Sequence, residues 1–311
     1  MRQDSTSIAV FGEALVDDFG ASQVVGGAPF NVARHLAAFG AAPLMLTRIG
    51  ADANGAAVRA QAARFGMRED GIQVDALRPT GRVLVEQEGG THRFTILPEQ
   101  AYDHIDAGAL LASLRACTPA MLYFGTLAQR GPVSQAALGS LLAASAAPRF
   151  LDLNLRSGQV SAERVLASMR EADILKLNDE ELLWVLAALG RAGMNPDEAA
   201  PACADLIAEF SLGGVVLTLG ARGAAWFGAD GERLEAAPAA CPALVDTVGA
   251  GDAFSAVFLL GRLRGWELAA TLARANAFAA AICAIRGAVP ADPAWYAPWR
   301  AEWLRPEENV A

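Results

Sequence analysis

Seven residues near the C-terminal end, Asp246 to Asp252, read DTVGAGD and run directly into the apolar segment AFSAVFLLGRL. Gly249 and Gly251 flank Ala250, so the spacing predicts a glycine turn that opens a helix with Asp252 in its first turn. Unpaired N–H groups at such a turn, together with the positive end of the helix dipole, attract an anion. A carboxylate beside an anion hole has a chemical use: it can take the proton from a hydroxyl that attacks a phosphoryl group held there. Ordinary structure accounts for the same heptapeptide, because acids are favoured in first helical turns and glycines in turns.

Other candidates fall at strand ends. Asp17 and Asn31 can each bind hydroxyls, or serve as a loop acid and a helix surface amide. In LDLNLR, Asp152, Asn154 and Arg156 occupy alternate positions after a strand and so share a side. Asn178 and Glu181 follow the run ILKL three residues apart, which suits a capping box or an oxygen pair for magnesium, held through water. Thr218, Gly220 and Gly223 in LTLGARGA form a strand end and tight turn, open to a phosphate or ribose and equally to a plain hairpin.

Several chemistries are excluded. No glycine-lysine-serine/threonine triplet is present, so a Walker-type loop is ruled out, and GAGDAF matches only two glycines of a dinucleotide fingerprint. His35, His92 and His104 are dispersed without metal spacing, and Cys117, Cys203, Cys241 and Cys283 are scattered, which points to free thiols in a reducing compartment. The net charge is −9 and the one lysine is Lys176, which can point to a phosphate or to solvent, with solvent the favoured reading. Such a chain is a poor partner for nucleic acid or an anionic membrane, and any phosphate site must be built from backbone N–H groups and at most a local cation. The N-terminus has no signal-peptide pattern and no run is long enough to span a bilayer, so a cytoplasmic protein is expected.

The elements that must position these residues alternate. Ile8 to Val16 reads as one buried strand ending in Asp17 and Asp18, followed by a helix over Phe30 to Phe39 and a strand over Leu44 to Ile49. Gly71 to Leu97 holds three short alternating runs, with a turn at Glu88 to Gly90, and is expected to form a β appendage with one wet face. From Ile105 onward helices and strands alternate: helices over Ala107 to Arg115, Val133 to Ser145, Ala162 to Glu171, Asp179 to Leu189 and Pro196 to Phe210, with strands at Met121, Arg149, Ile174 and Gly214. This order predicts an α/β fold with a mostly parallel sheet covered on both faces. One domain over 1–311 is expected, with a small β-sheet lid formed from about 17–28 and 71–98.

Taken together, GGAPFNVARHLAAFG with GADANG, NDEE, LTLGARG and DTVGAGDAFSAVF resemble, in order, the signatures of the ribokinase-like (PfkB) carbohydrate kinases, from Ala9 to Gly287. The resemblance implies a three-layer αβα sandwich and ATP-dependent phosphorylation of a sugar hydroxyl. It implies Asp252 as base and the N–H groups of Gly249, Ala250 and Gly251 as anion hole. Asn178 and Glu181 would serve Mg2+ and phosphate, and Thr218, Gly220, Gly223 and Asn276 would lie near the nucleotide. Asp17, Gly27 and Asn31 would hold the sugar, joined by Asp152, Asn154 and Arg156. A monovalent cation such as K+ would sit near Asp246, Val248 and Gly287, and the lid would pair two subunits into a homodimer. Within the family the pattern leans to bacterial fructokinases, with ribose, 2-keto-3-deoxygluconate or a nucleoside as alternative substrates and a non-catalytic sensor as the alternative class. Phe30 departs from the fructokinase pattern, which has a small residue there, as does the lack of a tryptophan soon after Arg156.

Overall fold

The computed structural model describes residues 7–88, 91–191, 199–241 and 243–304. The first half of the chain forms β1 (Ser7–Phe11), β2 (Leu15–Asp18), β3 (Gln23–Gly26), α1 (Ala28–Ala38), β4 (Leu44–Gly50), α2 (Ala53–Arg64), β5 (Ile72–Asp75), β6 (Gly81–Glu88), β7 (Thr91–Ile96), α3 (Ala107–Arg115), β8 (Pro119–Phe124) and α4 (Pro132–Ala144). The second half forms β9 (Arg149–Asp152), α5 (Ala162–Arg170), β10 (Ile174–Asn178), α6 (Asp179–Ala188), α7 (Ala199–Phe210), β11 (Gly214–Thr218), β12 (Ala224–Gly228), β13 (Arg233–Ala236), α8 (Ala250–Arg264), α9 (Leu268–Cys283) and α10 (Ala297–Trp303).

Nine strands make the main sheet in the order β13-β12-β11-β10-β9-β8-β1-β4-β5. Pairing is parallel from β11 to β5, and the β12 and β13 hairpin adds an antiparallel edge. Successive strand residues point to opposite faces, so each apolar strand feeds two cores at once. Ala9, Phe11, Leu122, Leu151, Leu175 and Val215 meet α3 to α7 on one side. Ile8, Val10, Tyr123, Phe150, Ile174 and Val216 meet α1, α2, α8, α9 and α10 on the other. Three layers result.

The order of strands reverses between β1 and β8, because the chain moves outward from β1 through β4 and β5 and then outward the other way from β8. Ligands of such sheets bind beyond the carboxyl ends of the strands at that reversal. A second sheet, ordered β3-β2-β6-β7, stands apart as the lid. Its β2 runs antiparallel to β3 but parallel to β6, and β6 and β7 form an antiparallel pair.

Three expectations need correction. Ile8 to Val16 is not one strand: at Gly12 the backbone takes φ 149 and a side chain there would collide with the Pro29 ring, so the chain leaves the main sheet and β2 enters the lid. Asp17 accordingly sits within a lid strand and not at the end of a main-sheet strand. The run from 71 does not belong to the lid either, since Ile72–Asp75 pairs in parallel with β4 and closes a β-α-β unit through α2. An edge strand of the main sheet has a wet side too, so alternation by itself did not tell the two sheets apart. Gly89 and Gly90, the expected turn, lie outside the described residues, as do 196–198 at the expected start of α7. Among the described residues no helix is long and apolar enough to cross a membrane.

Candidate active site

A cleft of about 1120 Å³ opens between the carboxyl ends of the main sheet and the lid. Three helix starts face it, and each has a local cause. Gly27 caps α1 with φ 100, and Pro29 fits the first turn, where no N–H is needed. Asn178 caps α6 in a reciprocal box: its Oδ1 accepts the Glu181 N–H at 2.8 Å and Glu181 Oε2 accepts the Asn178 N–H at 2.9 Å. Gly249 caps α8 with φ 79, a left-handed conformation that favours glycine, and a Cβ there would collide with Ala288.

Asp252 lies in the first turn of α8, 9% exposed, with Oδ2 accepting from Asn31 Nδ2 at 2.8 Å. Burial raises its pKa above the ordinary aspartate range, and Asp152 adds to the rise, while the Asn31 hydrogen bond and the charges of Lys176 and Arg156 oppose it. Of the three amides expected to form the anion hole, that of Ala250 donates to Thr247 O at 3.3 Å, a long contact that is readily exchanged. At the end expected to hold the sugar, Asp17, Gly27, Asn31, Asn154 and Arg156 line the cleft, with Asn154 at φ 38. Burial raises Asp17 to about 6, with Asp252 adding to the rise and Arg156 and Arg34 opposing it. At the end expected to hold the nucleotide the walls include Asn178, Glu181, Thr218, Gly220, Gly223 and Asn276, whose Nδ2 donates to Ala237 O at 2.6 Å.

Asp152 does not reach the cleft. Its carboxylate is fully buried and takes three donors: Lys176 Nζ at 2.9 Å on Oδ1, and the hydroxyls of Ser255 at 2.7 Å and Tyr123 at 3.2 Å on Oδ2. The reason is register: Asp152 has the parity of Phe150, and both point under α8. Lys176 is not solvent-facing either; it is 6% exposed, and a Cβ on Gly251 would lie 3.1 Å from its Nζ. Burial lowers its pKa, but Asp152, Glu181 and Asp252 outweigh that and hold the ammonium above the ordinary lysine range. The cation beside the Gly249–Gly251 turn is therefore Lys176, placed by Asp152.

Glu13 was missed altogether. It sits in the break after β1, lines the cleft, is 5% exposed, and burial pushes it up to about 7. A lone acid inside the apolar run GEALV was the available signal. Phe30, in contrast, is fully buried and takes no part in the cleft wall.

Both Glu181 oxygens accept backbone N–H groups, Oε1 from Leu155 at 2.7 Å and Oε2 from Asn178. Among the described residues no group of three or more acids, histidines or cysteines could cage a metal. This donor set fits a magnesium ion that keeps its waters and meets Glu181 and Asn178 through them. Asp246 joins the two segments expected around a monovalent cation, accepting the N–H of Val248 and that of Gly287, each at 3.0 Å.

The pfkB family of carbohydrate kinases matches residues 3–295. The chain belongs to that family. This carbohydrate kinase is 28% identical over 264 residues to the fructokinase of Rhizobium leguminosarum bv. trifolii, covering 80% of this chain and 77% of that protein. Its fold is that of the Vibrio cholerae O395 fructokinase solved with fructose, ADP and a calcium ion, with a TM-score of 0.79, 22% identity and coverage of 94% and 98%. It is also that of the Salmonella enterica aminoimidazole riboside kinase solved with aminoimidazole riboside and an ATP analogue, with a TM-score of 0.77, 23% identity and coverage of 94% and 99%. The pfkB kinase thus has the ribokinase-like three-layer architecture, with a separate β sheet at the mouth of its cleft.

Proposed function

We propose that this kinase transfers the γ-phosphoryl group of ATP to a hydroxyl of a small sugar, fructose in first place, with Asp252 as general base. The observation that carries the reading is the state of Asp252: buried, bound by one side chain, open to the cleft, and next to the Gly249–Gly251 turn and Lys176. Asp17, Asn31, Asn154 and Arg156 lie on its sugar side, and Thr218, Gly220, Gly223 and Asn276 on its nucleotide side. The fructokinase relative supports fructose.

Phosphoryl transfer is catalysed mainly by positioning and charge neutralisation. The sugar hydroxyl is held by Asp17 and Asn31 and gives its proton to Asp252 as it attacks. The amides at the start of α8 and the Lys176 ammonium meet the charge on the moving group. Magnesium, when bound, neutralises the phosphate oxygens, and Glu181 and Asn178 orient its waters. A monovalent cation such as K+ next to Asp246, Val248 and Gly287 would strengthen the same hole. The lid excludes water that would hydrolyse ATP. Val24, 46% exposed on the same lid face as Asp17, offers apolar surface to a second subunit, so a homodimer accompanies the reading.

The test is ADP release against a panel of fructose, ribose, 2-keto-3-deoxygluconate and nucleosides, with Asp252→Asn as control. Fructose-dependent release that falls about 100-fold or more in the variant is the expected result, as for loss of a general base. Release with another panel member replaces fructose, near-full activity of Asp252→Asn removes the base, and no release with any member favours the sensor reading.

A further inference from the structure

Asn31 uses each end of its amide once, which leaves one N–H and one oxygen lone pair for a hydroxyl. Nδ2 donates to Asp252 Oδ2 at 2.8 Å, and Oδ1 accepts from Arg34 Nη2 at 2.5 Å, one turn further along α1. The two ends are chemically unlike. Turned the other way, the amide would set N–H groups against a guanidinium and an oxygen against a carboxylate, so Arg34 and Asp252 together fix which way it faces, and Arg34 holds it from the side away from the cleft.

Arg34 is in turn held rigidly. The same Nη2 donates to Val25 O at 2.9 Å, and its guanidinium carbon lies 5.0 Å from the Phe30 ring centroid and 5.9 Å from that of Phe65. The residue is 5% exposed and forms no part of the cleft wall, and its Nε has no partner among the described residues. Burial lowers its pKa to about 10, with Tyr296, Asp252 and Asp17 opposing the fall, so it stays a cation at neutral pH. A buried cation with an unsatisfied N–H is costly. The large ring of Phe30, where a small residue was expected, supplies one face of its support.

We propose that Arg34 is a positioning residue of the phosphoryl-transfer site. By fixing the Asn31 amide it assigns the single hydrogen bond of Asp252 to Oδ2 and leaves Oδ1, which has no hydrogen bond among the described residues, to receive the sugar hydroxyl proton. The proposal rests on the reading of Asp252 as base. The orienting order is Arg34, then Asn31, then Asp252, and only the last two touch the cleft.

A double-mutant cycle in the full chain tests it, with kcat and the KM values for ATP and for the sugar found by the panel as readouts, and thermal unfolding as control. Arg34→Met should lower kcat about 10- to 100-fold, with the KM for ATP within about twofold of the wild type, because the base is misplaced and the nucleotide is not. Arg34→Gln, whose amide still donates to Asn31 Oδ1, should keep more kcat than Arg34→Met. In an Asn31→Ala background, Arg34→Met should cost less than about twofold more, since the residue it acts through is gone. Multiplicative losses in the double variant, an Arg34→Gln as poor as Arg34→Met, or an Arg34→Met with near wild-type kcat overturn the proposal. If Arg34→Met does not fold, Arg34→Lys takes its place in the cycle: a kcat effect that vanishes in the Asn31→Ala background supports the proposal, and one that persists, or no effect at all, overturns it. A near-fully active Asp252→Asn removes the base and this proposal together, whereas an inactive Asp252→Asn with multiplicative Arg34 and Asn31 losses removes this proposal alone.

Discussion

Asp152 and Asp252 are two buried acids that meet the same helix, and they differ in how far their oxygens are satisfied. Asp152 takes an ammonium and two hydroxyls and has no exposed surface. Asp252 takes one amide and borders the cleft. A saturated carboxylate gains nothing by accepting a proton and serves to lock Lys176 to Ser255 of α8. A carboxylate with one partner and a raised pKa has both the vacancy and the basicity to accept a proton. Lone-pair satisfaction, more than burial, separates the structural acid from the proposed base.

Exchanging each aspartate for asparagine sharpens that contrast most. Asp252→Asn should lose about 100-fold or more in kcat while unfolding at or above the wild-type temperature, because a strained, functional charge is removed. Asp152→Asn should instead cost about 3 kcal/mol of stability, since it removes the one carboxylate that the buried Lys176 ammonium is hydrogen-bonded to among the described residues. Denaturant unfolding and steady-state kinetics on both variants decide, and the distinction breaks if Asp152→Asn unfolds like the wild type.

The pH dependence comes next. Burial raises the Asp252 pKa, so the proposed base is protonated up to a higher pH than an ordinary aspartate, and kcat/KM should fall on acidification before the ordinary aspartate range is reached. A profile flat down to that range would place the base elsewhere. The smallest effect belongs to Tyr123→Phe, which removes the longest of the three bonds to Asp152 and should cost about 1 kcal/mol of stability with kcat unchanged within about twofold. A large fall in kcat there would show that the Asp152 network is felt at the reacting atoms.

Much of the site was readable in one dimension because its parts are local. The glycine turn of 249–251, the reciprocal cap of Asn178 and Glu181, and the Gly27–Pro29 entry into α1 are fixed by residues within one helical turn of each other. The capping reading of Asn178 and Glu181 is met by their reciprocal bonds, and the same carboxylate lines the cleft. Lys176 was misjudged for the opposite reason. A lone lysine in ILKL looks like a solvent tip until its neighbour in the next strand, 24 residues away, is known to be Asp152. The division of Ile8 to Val16 between two sheets failed likewise, because both pieces are apolar and only the break at Gly12 marks the change.

The sequence by itself determined the α/β class, the helix starts that face the cleft and the chemistry available to them, because periodicity, caps and turns depend on neighbours along the chain. Only the tertiary structure decided which acid is free and which is spent, and that Arg34 reaches Asp252 through Asn31 across 221 residues of chain. Parallel strands bring distant residues side by side through register, and a shift of one residue in that register would exchange the two faces. The protonation and pairing of a buried group depend on what lies across that gap, and such pairing leaves no mark on the spacing of residues along the chain.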